Sequence, residues 1–414
     1  MERMKILFVV PYVPNLIRVR PYHWLTQLAA RGHELTLATL VASEEDERDL
    51  ERLRPLVKTV IAERLPRWRA LGNSLVAAAG RGPLQAAYCW QPALAARLRA
   101  AAASGEFDVA HVEHLRGARF GLELLKPAQG GQAGLPVVWD SVDCISLLFE
   151  QAARRSKRLF SRYLTRFELA RTQAYEGWLV GQFQRVLVTS ALDREALVGL
   201  SADAAVGKRI EVLPNGVDLG YFTPPPAGSK AEPASLVISG KMSYHANVTM
   251  ALHFAQDVMP LIWQRRPEVK LTLVGKDPTP ELRALARDPR IEVTGTVEDI
   301  RPYLWRASVG VSPIVYGVGI QNKVLEAMAC GLPVVCSPQA ASALAVKPGE
   351  DLWIASQPGE YAEVILKLFD QPALRARLGQ AGRAYVEKQH AWGSIAGQLE
   401  NIYAQVKRGA VHAG

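Results

Sequence analysis

Cysteine is scarce in this 414-residue chain: Cys89, Cys144, Cys330 and Cys336 are the only four. They form no CxxC pair and no histidine cluster lies beside them, so neither a disulfide framework nor a structural zinc site is expected. Reduced thiols in a cytoplasmic protein fit this usage. Long apolar runs are missing too, and nothing approaches the roughly 18 consecutive apolar residues of a spanning helix. The apolar run after the charged start MERMK stops at Pro11, too short for a signal peptide and right for a buried parallel strand. Acidic charge is outnumbered, with 49 Lys and Arg against 40 Asp and Glu, a net charge of +9. No helix-turn-helix signature, zinc finger or aromatic RNA-binding motif accompanies that charge, so no nucleic acid is expected as partner. Anionic substrates and an anionic membrane surface remain, and an excess carried mostly by arginine favours phosphate contacts. No DxD-type metal site is apparent, and no metal or cofactor is expected.

What is present is length for about two domains and apolar content for two cores, 49% of residues being hydrophobic. KILFVVP reads as a first strand, YHWLTQLAARG as a helix and ELTLATL as the next strand, a βαβ unit. The loop between strand and helix, Tyr12 to Pro21, carries Arg18 and Arg20. Residues 43–58 read as charged and helical, VKTVIAE as a short strand, and 64–104 as helices at the rim of the first domain. In FDVAHVEHLRGA, Val109 to Val112 reads as a strand with His111, Glu113 and His114 at its C-terminal end, where α/β sheets place ligands. A buried strand histidine is the competing reading for His111. LPVVWDSVDC and RVLVTS are further strands. Between them ARRSKRLFSRYLTRFELARTQAYEGWLV reads as one long helix, with a cationic stripe that suits packing on the domain or contact with an anionic membrane. IEVLPNGVD is a strand and tight turn, and PPPAGSKAEP (Pro224 to Pro233) is the clearest linker.

The second half opens with the strand LVIS, then Gly240 and Lys241, and Asn247 reads as the cap of the following helix. VKLTLVG, IEVTG, VGVSP and LWIA are strands alternating with helices, AEVILKLFDQPALRARLGQAGRAYVEK reads as helical, and HAWGSIAGQLENIYAQV is a final amphipathic helix. The most informative stretch is Pro313 to Ser337, PIVYGVGIQNKVLEAMACGLPVVCS. It turns at Gly317 and Gly319, runs as a helix from about Ile320 to Cys330, and stops at Gly331 and Pro333. A glycine turn opening a helix presents bare amide groups and the positive end of the helix dipole, which favours an anion. Lys323 and Glu326 share one helix face near that mouth. A surface Lys–Glu pair is the plainer reading, set against the apolar Val324, Leu325, Ala327, Met328 and Ala329 that crowd the other faces.

The run GxGIxxKxLEAMAxGxPVV resembles the donor-site segment of the family-four retaining glycosyltransferases. The resemblance implies the α/β GT-B fold, two facing Rossmann-like domains with parallel sheets. It implies an N-terminal domain over 1–222, a linker over 223–234, a donor-binding domain over 235–389, and a helix at 390–410 crossing back onto the first domain. Glu326 matches the family's ribose-binding glutamate, whereas Val318 stands where the family has a sugar-contacting glutamate. Lys323 lies between those two positions and Asn322 beside it. Gly240 and Lys241 stand where the family has Gly-Arg, whose cation holds the diphosphate. Arg18 and Arg20 replace the paired glycines of the first loop. The family's His-x-His falls on His111 and Glu113. PNGVD sits at the family's interdomain hinge, which makes Asn215 and Asp218 turn formers.

These matches imply a metal-independent glycosyltransferase moving a sugar from a UDP- or GDP-sugar to a lipid-linked or saccharide acceptor with retention. Lys241, Lys323 and the helix dipole would neutralise the leaving diphosphate. Its place would be the cytoplasm, peripheral on the inner face of the plasma membrane. The alternatives are a non-catalytic binder of a nucleotide sugar or polysaccharide, and a sugar-nucleotide epimerase of related architecture.

Overall fold

Strand and helix alternate along the chain, and the strands gather into two parallel sheets. The computed structural model describes residues 2–80, 82–126, 134–155, 159–229, 231–316 and 319–411. The strands of the first sheet are β1 (Lys5–Val10), β2 (Glu34–Val41), β3 (Thr59–Arg64), β4 (Val109–Glu113), β5 (Val137–Val142), β6 (Arg185–Val188) and β7 (Ile210–Val212). Those of the second are β8 (Ser235–Ser239), β9 (Lys270–Val274), β10 (Ile291–Gly295), β11 (Val309–Ser312), β12 (Val334–Cys336) and β13 (Trp353–Ile354). Among the described residues the orders are β3-β2-β1-β4-β5-β6-β7 and β10-β9-β8-β11-β12-β13. Among the described residues every strand pairing is parallel, as apolar strands joined by helical crossovers require.

Each order reverses once, between β1 and β4 and between β8 and β11. The connections leave these neighbours in opposite directions, which opens a crevice beyond the carboxyl ends of the strands. The loops after β1, β4, β8 and β11 therefore sit where an α/β sheet binds ligands. These loops carry nearly all the residues singled out from the sequence.

The chain divides into two compact units, Met1–Pro214 with Gly393–Gly414, and Asn215–Trp392. In the first, Phe8, Trp24, Phe120, Trp139 and Phe183 are fully buried; in the second, Phe254 and Tyr361 hold the same place. The proline-rich segment 224–233 lies within the second unit, where Glu232 N–H donates to the Arg306 carbonyl at 2.8 Å. The last helix, Trp392–Val411, lies almost wholly in the first unit. There Tyr403 Oη bonds His111 Nδ1 at 2.8 Å, and Glu400 bonds His33 Nε2 at 2.7 Å and Arg31 at 3.2 Å.

Three elements differ from the sequence reading. The long helix after β5 is two, Ile145–Arg155 and Leu159–Leu179. The helical stretch before the last helix also splits, at Gln371, because Pro372 cannot continue the preceding ladder. The first helix begins at Val19, so Arg20 and Pro21 stand in its first turn and not in the loop. That position suits proline, because the first-turn N–H groups have no intrahelical partner to lose.

Candidate active site

In the second unit the site grows from two loops that approach closely. Gly240 follows β8 with φ +144, and its N–H donates to the Val274 carbonyl at 3.1 Å. Gly275 follows β9 with φ +148, and a Cβ there would sit 1.8 Å from the Gly240 carbonyl oxygen. Any larger residue at 275 would push the Gly240–Lys241 turn out of place. Lys241 itself is exposed. Asn247 is not the cap that the sequence suggested. The helix His245–His253 is capped at Tyr244, and Asn247 is its third residue. Its buried amide spans the site: Nδ2 donates to the Lys241 carbonyl at 3.0 Å, and Oδ1 accepts from Lys323 Nζ at 2.7 Å. An asparagine inside a first turn competes with the backbone unless its side chain is used elsewhere, and here it is.

Lys323 and Glu326 belong to the helix Asn322–Ala329, whose other faces (Val324, Leu325, Ala327, Met328, Ala329) are buried. The helix closes with Gly331 N–H on the Met328 carbonyl and Leu332 N–H on the Ala327 carbonyl, a Schellman pair. Its packing leaves Lys323 and Glu326 half-buried. Burial lowers the Lys323 ammonium to about 8 against the pull of the Glu326 charge. Burial raises the Glu326 carboxyl to about 7 against the pull of Lys323. Each group is thus poised to gain from a ligand that supplies the partner it lacks. At the mouth, Asn322 Oδ1 accepts from Asn215 Nδ2 at 3.2 Å, so the PNGVD turn reaches the helix start. Gly319 has φ +66; Gly317 and Val318 lie outside the described residues.

A pair that the sequence reading missed joins the same loops. His245 stacks on Tyr316, ring centroids 5.4 Å apart and 15° from parallel, with Nδ1 and Oη 2.6 Å apart. The signal was present as an aromatic residue just before the Gly317 turn and a histidine just after Lys241. Neither belongs to a periodic pattern.

In the first unit, Tyr12 after β1 donates its hydroxyl to Glu113 Oε1 at 2.7 Å. Glu113 is buried, and burial with the nearby Asp140 charge lifts its carboxyl to about 8. Its Oε2 has no hydrogen-bond partner among the described residues. With Tyr12 donating to Oε1, the proton of the neutral acid falls to Oε2, an unused donor near neutral pH. His114 follows with φ +65, a conformation that side chains other than glycine rarely hold without local compensation. Burial, helped by Arg116, lowers its imidazole to about 3, so it is neutral, and Nδ1 accepts from the Arg116 N–H at 3.2 Å. Arg18 stays at the loop rim, its guanidinium 4.7 Å from the Tyr12 ring centre and 3.5 Å from Asp46.

Arg20 and His111 go elsewhere. Arg20 is 3% exposed; its Nε donates to Asp140 at 2.7 Å and its Nη1 to the Leu213 carbonyl at 3.0 Å. His111, fully buried, lies between Tyr403 Oη and Asp140 Oδ2, the latter 3.5 Å away. Burial would raise Asp140, but Arg20 and His111 outweigh it and hold the carboxyl at about 2. Arg20 and His111 therefore sit in a network beneath the mouth and present no surface to a phosphate or a sugar.

Two parallel α/β units with crevices at their switch points are the architecture of the GT-B glycosyltransferases, and comparison with known proteins agrees. The chain belongs to the family-four, group 1 glycosyltransferases. The family model described as Glycosyltransferase Family 4 matches residues 19–221, and Glycosyl transferases group 1 matches 233–371. A GDP-mannose-dependent monoacylated alpha-(1-6)-phosphatidylinositol monomannoside mannosyltransferase of Corynebacterium glutamicum is 32% identical over 46% of this chain, a match spanning 55% of that relative. A phosphatidyl-myo-inositol mannosyltransferase of Mycobacterium leprae is 23% identical over 77% of this chain and 78% of its own length. Among solved structures, a sucrose-phosphate synthase from Thermosynechococcus elongatus superposes with a TM-score of 0.70 at 18% identity, covering 98% of this chain and 99% of that one. Anabaena HepE in complex with UDP gives 0.69 at 16%, covering 97% and 100%.

Proposed function

We propose that this glycosyltransferase moves a hexose from a UDP- or GDP-sugar to a lipid-linked or saccharide acceptor, with retention of configuration and without a metal ion. The observation that carries the reading is the Lys241–Asn247–Lys323 arrangement. It sets the Lys323 ammonium and the backbone turn at Lys241 beside the start of a helix, with the half-buried Glu326 one turn further along. A diphosphate would supply the negative charge that Lys323 lacks, and a ribose hydroxyl would donate to Glu326. Charge developing on the leaving diphosphate would meet the preplaced Lys323 ammonium, the exposed Lys241 and helix amides, the largest catalytic effect such a site offers. The leaving phosphate can itself take the acceptor's proton, so retention needs no protein nucleophile. In the first unit, the half-buried His114, a neutral imidazole, is the proposed acceptor-side group, with the buried neutral acid Glu113 supporting it from the end of β4. The mannosyltransferase relatives, named for GDP-mannose and phosphatidylinositol acceptors, and the UDP held by a structural neighbour support the donor and acceptor classes.

A lipid-linked acceptor implies work at the cytoplasmic face of a membrane. Among the described residues no helix is long and apolar enough to cross one. The cationic stripe read from the sequence at Arg154–Arg171 falls largely outside the described side chains; Arg166, Phe167 and Arg171 are described, and the first two are exposed.

A thermal-shift screen of nucleotide sugars, followed by transfer assays with and without chelator and by NMR of the product anomer, tests the reading. Expected are stabilisation by one UDP- or GDP-sugar, chelator-insensitive transfer, and a product with the donor's anomeric configuration. Donor binding with neither transfer nor hydrolysis would mark a non-catalytic binder, and inversion of the sugar without an acceptor would mark an epimerase.

A further inference from the structure

The helix Arg67–Ala79 is amphipathic in the wrong sense for a surface helix. Its inner face is built from small and polar residues. Ala70 is buried, Asn73 Nδ2 donates to the Tyr88 and Trp90 carbonyls at 3.1 and 2.8 Å, and Ser74 Oγ donates to the Ala70 carbonyl at 3.0 Å. Its outer face is apolar: Trp68, Leu71, Leu75 and Val76 are 67%, 63%, 73% and 76% exposed. Positions 68, 71 and 75 fall on one line along the helix, with 76 beside them. A helix held by a soluble protein normally turns such residues inward, and contiguous exposed apolar faces mark interaction sites.

The sequence of this segment carries charge of one sign. Residues 65–105 contain no Asp or Glu but five arginines, Arg67, Arg69, Arg81, Arg97 and Arg99, in a chain with 40 acids among 414 residues. About four acids would be expected over such a span at that frequency. Arg97 and Arg99 are paired with Glu63 and Glu123 at 3.0 Å, which leaves Arg67 and Arg69, among the described residues of the segment, as the cations beside the apolar stripe. Arg67 is exposed, and Arg69 lies 5.1 Å from the Trp68 ring centre. At the other end, Arg171 of the helix Leu159–Leu179 donates to the Ala77 carbonyl at 2.9 Å and the Ala78 carbonyl at 3.2 Å. Beside it Phe167 is 41% exposed, its ring centre 4.5 Å from the Arg171 guanidinium. The apolar stripe thus runs on from one helix toward the next, with arginines along its edge.

We infer that this face docks on an anionic phospholipid bilayer, with the helix Arg67–Ala79 lying in the interface plane. Trp68 sits at headgroup level, Leu71, Leu75 and Val76 enter the acyl boundary, and Arg67 and Arg69 meet lipid phosphates. A second copy of this chain fits less well, because it would set Arg67 and Arg69 against a like-charged pair. The inference deepens the membrane part of the function proposed above and assigns it to a face that the sequence's cationic stripe did not include.

Flotation of the full chain with phosphatidylglycerol/phosphatidylcholine vesicles, and with phosphatidylcholine alone, provides the test. Binding should require the anionic lipid, weaken with salt, and fall at least tenfold in the triple variant W68S/L71S/L75S. These three side chains are mostly solvent-exposed in the free protein, so its thermal unfolding and nucleoside-diphosphate binding should match the parent. Brominated acyl chains should quench tryptophan emission in the parent and distinctly less in W68F, a milder variant in case the triple one misfolds. Equal binding by parent and triple variant, with loss instead in R155Q/R158Q/R162Q, would overturn the assignment, as would indifference to anionic vesicles at low salt. A parent dimer that the triple variant abolishes, without lipid binding, would also overturn it, in favour of self-association. Nucleoside-diphosphate binding measured alongside keeps two failures apart: losing vesicle binding alone sinks the docking face, and an absence of nucleotide binding in the parent sinks the donor site.

Discussion

Single residues carry the electrostatics of the site. Glu326→Ala should weaken nucleoside-diphosphate binding about tenfold or more, since a hydrogen bond to a charged group contributes about 1.5–3 kcal/mol; isothermal titration measures it, and unchanged affinity would remove the ribose anchor. Lys241→Ala and Lys323→Ala should harm diphosphate binding much more than nucleoside binding. Asn247→Ala should imitate Lys323→Ala in part, because Oδ1 places the ammonium and Nδ2 holds the Lys241 turn. If Asn247→Ala lost nucleoside and nucleoside diphosphate equally, the amide would be serving the fold instead. Glu113 adds a pH signature. Its folded pKa is raised to about 8 from an ordinary carboxyl value, so the stability it contributes is complete below pH 4 and is lost as pH rises through 8. In the folded protein the neutral form is lost only as pH passes through about 8. Activity should therefore fall above about pH 8 in the parent and persist there in Glu113→Gln, which stays neutral; a pH profile of kcat/KM decides.

Elements show where sequence reasoning succeeds and where it fails. The strands and their carboxyl-end loops were legible, because buried parallel strands announce themselves as short apolar runs punctuated by glycine. The helix at Lys323 and Glu326 was legible for the same reason, and its glycine stop falls where Gly331 and Leu332 close the Schellman pair. Asn247 was misread because its residue type favours caps, and only the approach of another element reveals that its amide is already engaged. Arg20 was misread because Pro21 suggested a helix starting after it; three residues of earlier helix turn the guanidinium inward to Asp140. Composition carries no trace of such a choice. The resulting network joins β4, β5, the first helix and the last. Tyr403→Phe, which leaves His111 Nδ1 without its hydroxyl, should cost about 1–2 kcal/mol in urea unfolding. Arg20→Met leaves Asp140 buried without its cation and should cost about 3–5 kcal/mol. Little effect from Arg20→Met would mean that water reaches the carboxylate.

At the scale of the whole molecule, the first unit is discontinuous in sequence, built from residues up to 214 and from 393 onward, while the second is one uninterrupted stretch. The sequence displayed the final amphipathic helix but not its partners, since His33, Arg31 and His111 are separated from it by most of the chain. Removing residues 393–414 should leave those groups uncovered. The truncated chain should lose the cooperative unfolding of the first unit while the second stays resistant to limited proteolysis; undiminished stability of both would deny the helix its structural part.

That discontinuity has a consequence on the ribosome. By the time residue 214 has emerged, every strand of the first sheet is available, yet the helix that covers His33 and His111 is still 179 residues from synthesis. At about 5–20 residues per second the nascent first unit waits roughly 9–36 s with that flank open. The second unit is made during this interval and can fold unaided. The order of completion is thus the reverse of the order of translation, and the waiting flank is where a trigger-type chaperone would find its longest opportunity.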